Sequence, residues 1–177
     1  NEFIRDIISL SNGNTQSTGQ TAYLIIGAAN ARNLDNTRDL FDVGQFELSK
    51  KQIMDWVNSF ADPPIEEIYP HFVTYQDKRL FVIAIPPSLY VHKITRDLQT
   101  AKTLYHKNYV FLRKGEDIYH ADDAQVATLK AAKQSYFTHS KNVNPLWFGP
   151  LAGAISLGLI NWIGIFGKTP EGQAFIG

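Results

Sequence analysis

Ile68-Tyr69-Pro70-His71-Phe72-Val73-Thr74-Tyr75-Gln76-Asp77-Lys78-Arg79-Leu80-Phe81-Val82-Ile83-Ala84-Ile85-Pro86-Pro87 reads as two β-strands, Ile68 to Tyr75 and Leu80 to Ile85, around a turn at Gln76-Asp77-Lys78-Arg79. Two runs rich in β-branched and aromatic residues flanking a polar tetrapeptide are a hairpin signature, and Pro86-Pro87 closes the pair because proline cannot donate to a ladder. Toward the N-terminus, Ser49 is placed to cap a helix whose Ile53, Trp56, Val57 and Phe60 fit a period of 3.6, and Asp62-Pro63-Pro64 ends it. The loop Asn30 to Leu48 is preceded by Ala22-Tyr23-Leu24-Ile25-Ile26-Gly27-Ala28, a continuous apolar run expected as a strand covered on both faces. Residues 2–11 space apolar side chains at 3, 4, 7, 8 and 10, the stripe of an amphipathic helix, which Ser11-Asn12-Gly13-Asn14 breaks. Toward the C-terminus, Tyr105 to Arg113 is a further strand, with Tyr109, Phe111 and Arg113 on one face and Val110 and Leu112 on the other. Ala121 to Tyr136 is a helix capped by Asp122 or Asp123, with Val126, Leu129, Ala132 and Lys133 along one side. The order α-β-α-β-β-β-α predicts an α+β or mixed α/β domain over residues 1–140, with a small sheet of about four strands flanked by helices.

Hydrophobic residues make up 44% of the 177, enough for a real core, whereas charged residues at 19% imply a nearly charge-free stretch somewhere. With no cysteine, disulfides, thiolate zinc sites and cysteine nucleophiles are excluded. Asn1-Glu2-Phe3-Ile4-Arg5 lacks the pattern of a secretory signal. The net charge of zero conceals a basic block: residues 93–114 carry six Lys and Arg against Asp97 alone, while residues 1–92 carry 7 against 11 Asp and Glu.

The helix ending in Ser11-Asn12, the glycine-containing loop, Tyr23-Leu24-Ile25-Ile26-Gly27, Phe41-Asp42-Val43-Gly44, the prolines before Ile65, Leu80 to Pro86, and Tyr109-Val110-Phe111-Leu112-Arg113-Lys114-Gly115 follow one another in an order that resembles the Schlafen-AlbA domain. The resemblance covers roughly residues 2–133 and implies nucleic-acid binding. Some Schlafen proteins cut RNA with acidic residues. The family's Glu-Phe-Lys-type strand would precede Asn1, so the resemblance also leaves open an RNA-cleaving enzyme whose catalytic strand lies outside this chain.

The residues themselves point to phosphate binding. Lys93, Arg96, Lys102, Lys107, Arg113 and Lys114 supply cations for a phosphate backbone, and Tyr105, His106, Tyr109 and Phe111 are rings among them that can stack on unpaired bases. The opposing reading is a solvated loop and edge strand with Tyr109 and Phe111 in the core. Arg113, beside a glycine turn, suits bidentate contact with a phosphate, or else an ion pair with Glu116 or Asp117. The Asn12 to Gly19 loop can offer backbone N–H groups to an anion but carries no P-loop lysine. Asp35, Asp39 and Asp42 match no metal loop, the five histidines show no ligand spacing, and no serine sits in a nucleophile elbow. No catalytic residue, metal or cofactor is therefore expected. The reading is a binding domain for single-stranded nucleic acid or an oligonucleotide, DNA and RNA undistinguished, or alternatively a protein-interaction module.

Leu146 to Gly167 is 22 residues without a charge, the length of a membrane helix, in the C-terminal segment 141–177. Trp147 suits an interface, Lys141 and Lys168 bracket the span, and Gly149, Gly153, Gly158, Gly164 and Asn161 favour helix association, hence a homo-oligomer. Residues 1–140 are then expected on the cytoplasmic side of an inner or plasma membrane. A buried hairpin or interface helix in a cytoplasmic protein is the other reading, since five glycines and Pro150 weaken a single helix.

Overall fold

Seven cross-strand pairs, from Tyr69↔Ala84 to Tyr75↔Lys78, join β3 (Tyr69–Tyr75) to β4 (Lys78–Ile85) in the computed structural model, which describes residues 1–29, 33–35, 37–115 and 117–140. The turn is two residues rather than four: Gln76 and Asp77 have φ of 48° and 56°, the left-handed pair whose twist matches flanking antiparallel strands, so Lys78 and Arg79 belong to β4. β4 lies between β3 and β1 (Ala22–Ile26), antiparallel to both, and Leu80 to Ile85 are all buried. β1 is therefore an edge strand. It is not covered on both faces as the apolar run suggested, and Ile25 is 42% exposed.

The other elements are α1 (Glu2–Asn12), α2 (Lys50–Asn58), β2 (Ala61–Asp62), β5 (Lys93–Ile94), β6 (Leu98–Gln99), β7 (Leu104–Tyr105), β8 (Phe111–Lys114), β9 (Asp117–His120) and α3 (Asp123–Ser140). The architecture is mixed α/β, but among the described residues the expected sheet of about four strands is instead a three-stranded sheet and three two-stranded ladders, β2-β5, β6-β7 and β8-β9. Asn108, at φ 69°, breaks the Tyr105 to Arg113 run, so Phe111 onward pairs with β9 instead of extending the main sheet. The alternation read from that run persists: Phe111 enters the main core, Val110 and Leu112 a second cluster.

Ile4, Ile7 and Ile8 of α1 pack with Ile53 and Val57 of α2 and Phe81, Ile83 and Ile85 of β4. Each fully buried aliphatic side chain contributes about 1.5–3 kcal/mol. Ser49 caps α2 in a reciprocal box with Gln52, and Asp122 does the same for α3 with Gln125. The second cluster, Val91, Val110, Leu112, Ala121 and Leu129, seats α3. Among the described residues no helix is long and apolar enough to cross a membrane; residues 146–167 lie outside them.

Candidate anion-binding site

Asn12, the last residue of α1, is buried and uses its whole amide. Its Nδ2 donates to the carbonyls of His92 (2.8 Å) and Phe111 (2.9 Å), and its Oδ1 accepts from the His92 N–H (2.7 Å). This fixes where α1 ends relative to β8. Gly13, at φ 62°, stops the helix, and a loop built on Asn14 follows. The Asn14 Oδ1 accepts from the amides of Gln16 and Ser17, and its Nδ2 donates to the Arg113 carbonyl at 2.9 Å. Gly19, at φ 84°, lies so close to Tyr136 of α3 that a Cβ there would stand 2.2 Å from the ring. The loop is thus held by β8 on one side and α3 on the other.

His92 is fully buried. Its Nδ1 lies 2.6 Å from the Pro63 carbonyl and so carries the proton, which leaves Nε2 to accept from the Ser88 hydroxyl at 2.9 Å. Burial pushes its pKa down to about 4, so the ring is neutral at pH 7. The carbonyl of the same Ser88 accepts from Lys133 at 2.9 Å, and the Ser11 carbonyl accepts from it at 3.0 Å. Lys133 is 3% exposed, and burial lowers it to about 8. Its two bonds leave one ammonium proton without a partner among the described residues, and Lys133 is among the residues that line a cavity.

That cavity, about 300 Å³, lies between the 13–19 loop, Pro86-Pro87, Arg113 and Lys133. Arg113 is half-buried; its amide donates to the Gly13 carbonyl and its Nη1 approaches the Ser9 hydroxyl at 3.4 Å. Among the described residues no Asp or Glu lines the cavity, and none forms an ion pair with Arg113 or Lys133. Asp117 lies opposite Lys114 in the β8-β9 register, and Glu116 is outside the described residues. Two cations with no described carboxylate, beside a loop rich in amides and hydroxyls, are chemically suited to an anion.

Of the side chains expected from the sequence to meet nucleic acid, only Arg113 lines this cavity, together with the Asn12 to Gly19 loop weighed for an anion. Lys93 pairs with Asp62 at 3.5 Å. Arg96 lies 4.0 Å over the Phe60 ring, donates to the Ser59 hydroxyl, and borders a second, mostly apolar cavity with Phe3, Phe46 and Trp56. His106 and the Lys107 amide both bind Asp97 and hold its carboxyl below its ordinary value, the amide more strongly. Tyr105 and Tyr109 pack on each other and on Phe111 at ring separations of 4.8 to 5.0 Å, and burial raises the Tyr109 hydroxyl. Lys102 and Lys114 are exposed.

Asp42 accepts from the amides of Arg79 and Gly44, so it ties its loop to β4; Asp35 accepts from Thr37. Among the described residues no group of three acidic or histidine side chains is arranged to hold a metal. Sequence reasoning weighed the Asn12 to Gly19 loop but missed Lys133. The available signal was a lysine on the apolar stripe of α3, next to Leu129 and Val126, where solvent is not expected. Compared with protein-family models, curated proteins and solved structures, the chain matches none.

Proposed function

We propose that residues 1–140 bind single-stranded nucleic acid or an oligonucleotide, with one phosphate seated between the 13–19 loop, Arg113 and Lys133. The observation that carries this reading is the pairing of a buried ammonium with a half-buried guanidinium on one cavity that no described carboxylate lines. A buried cation is costly unless an opposite charge joins it, and a phosphate supplies that charge. Exposed Lys102, Lys107 and Lys114 are available to further phosphates, whereas Lys93 and Arg96 already have partners in Asp62 and Phe60. Residues 146–167 would tether the domain to a membrane and favour its oligomerisation; what supports this is their length without charge.

Titration of the full chain with a single-stranded oligonucleotide at several salt concentrations tests the reading. Each phosphate contact contributes a slope of roughly −0.7 to log affinity against log salt. Arg113→Gln is expected to weaken binding at least tenfold and flatten the slope by about one contact. Binding that ignores both salt and this substitution contradicts the reading.

A further inference from the structure

We infer that the group this cavity selects is a terminal phosphomonoester, the phosphate at the end of a nucleotide chain, in preference to a diester within one. The inference rests on the reading above and narrows it. Charge is the first argument. Two cations face the cavity and no described carboxylate offsets them. An internal diester brings a single negative charge, whereas a monoester near neutral pH brings close to two, because its second pKa is about 6.

Donor geometry is the second argument. A diester has two non-bridging oxygens and a monoester three. A guanidinium fork suits two oxygens at once, and Arg113 lines the cavity while its Nη1 also reaches the Ser9 hydroxyl; the ammonium of Lys133, already bound to Ser11 and Ser88, has one proton left for a third oxygen. The origin of the walls is the third argument. The walls come from four separate parts of the chain: the end of α1 with its loop, Pro86-Pro87 at the end of β4, the β8 turn, and α3. A chain end brings its phosphate against these walls with chain on one side only, while a diester needs room for chain on both sides. Lys133 is itself buried, at 3% exposed. A terminal phosphate, carried on a single bond, reaches a buried ammonium that a phosphate flanked by nucleotides on both sides does not.

The test uses the full chain in detergent and three single strands of one sequence: 5′-phosphorylated, 3′-phosphorylated and unphosphorylated, each labelled away from the modified end. One phosphorylated strand is expected to bind at least tenfold more tightly than the unphosphorylated strand. That advantage should disappear in Arg113→Gln and in Lys133→Met, with circular dichroism and thermal melting confirming that each variant is folded. Should Lys133→Met fail to fold, Arg113→Gln carries the test alone. Equal affinity for all three strands, weakened alike by Arg113→Gln, overturns the selection for a chain end while leaving the phosphate reading intact. Absence of binding by every strand overturns both. A nucleoside 5′-monophosphate that competes with the phosphorylated strand supports the inference, and one that does not compete even in large excess counts against it.

Discussion

The ammonium of Lys133 stands 3.0 Å from the carbonyl oxygen of Ser11, so α3 is tied to the C-terminal end of α1 by a buried positive charge. The end of a helix has unsatisfied carbonyls and the negative end of its dipole, both of which favour a cation. Burial nonetheless lowers the group from 10.5 to about 8, a cost on the order of 3 kcal/mol in holding the charged form at neutral pH. The fold carries this cost beside a cavity that Arg113 also lines, a place where stability is often exchanged for binding.

Lys133 gives stability and affinity opposite pH dependences. Between pH of about 8 and 10.5 the unfolded chain holds a proton that the folded chain has released, so ligand-free stability should rise with pH through that window. Phosphate affinity should instead fall as pH passes about 8, because the ammonium discharges. Of its neighbours, His92 is neutral there; Arg113 shares the cavity, and Tyr136 of α3 lies against Gly19 at its edge. Chemical denaturation and ligand titration from pH 7 to 10 check the two trends, and parallel trends would contradict the account.

His92 sets an acid limit. Its folded pKa of about 4 lies below its ordinary 6.5, so the unfolded chain binds a proton that the folded chain refuses as pH falls from about 6.5 to about 4. Stability should drop by roughly 3 kcal/mol across that window. The carboxyls of Asp42 and Asp97, held below their ordinary value of 3.8 by amide hydrogen bonds, contribute their loss at lower pH. His92→Gln should remove most of the fall between pH 6.5 and 4; an unchanged fall in a folded variant counts against this assignment.

Asn12→Ala should destabilise the fold by about 2–4 kcal/mol. It leaves the buried carbonyls of His92 and Phe111 and the His92 amide without their partner. A urea titration should show a lower midpoint with an unchanged slope. A loss under 1 kcal/mol would mean that water replaces the amide and that α1 is not pinned here.

The hairpin and the α2 cap were legible because local chemistry decides them: β-branched and aromatic runs around a polar turn, and Ser49 before an apolar helical stripe; the α3 cap, open between Asp122 and Asp123, is Asp122. The two-residue strands at Ala61–Asp62, Lys93–Ile94, Leu98–Gln99 and Leu104–Tyr105 are too short for any periodicity to show. Ile25 was misread because an apolar run cannot distinguish an edge strand from a central one. Within the site, Arg113 and the glycine loop were visible singly. Their meeting depends on the carbonyl of Arg113 lying beside Asn14, a contact 99 residues apart in sequence that no local pattern records.

Residues 146–167 give a prediction independent of the cavity. The full chain should sediment with membranes and resist a carbonate wash, while a chain ending near Asn144 should not. Free solubility of the full chain without detergent would contradict the tether.

The most direct measurement of the central claim is the thermal stability of the full chain against increasing concentrations of a 5′-phosphorylated single strand, in wild type and Arg113→Gln. A ligand that binds only the folded state stabilises it by about 2.7 kcal/mol at a hundredfold excess over its Kd. Wild type is expected to melt progressively higher as strand is added, and Arg113→Gln to remain unmoved at the same concentrations. Equal shifts in both proteins, or no shift in either, would contradict phosphate binding between the 13–19 loop, Arg113 and Lys133.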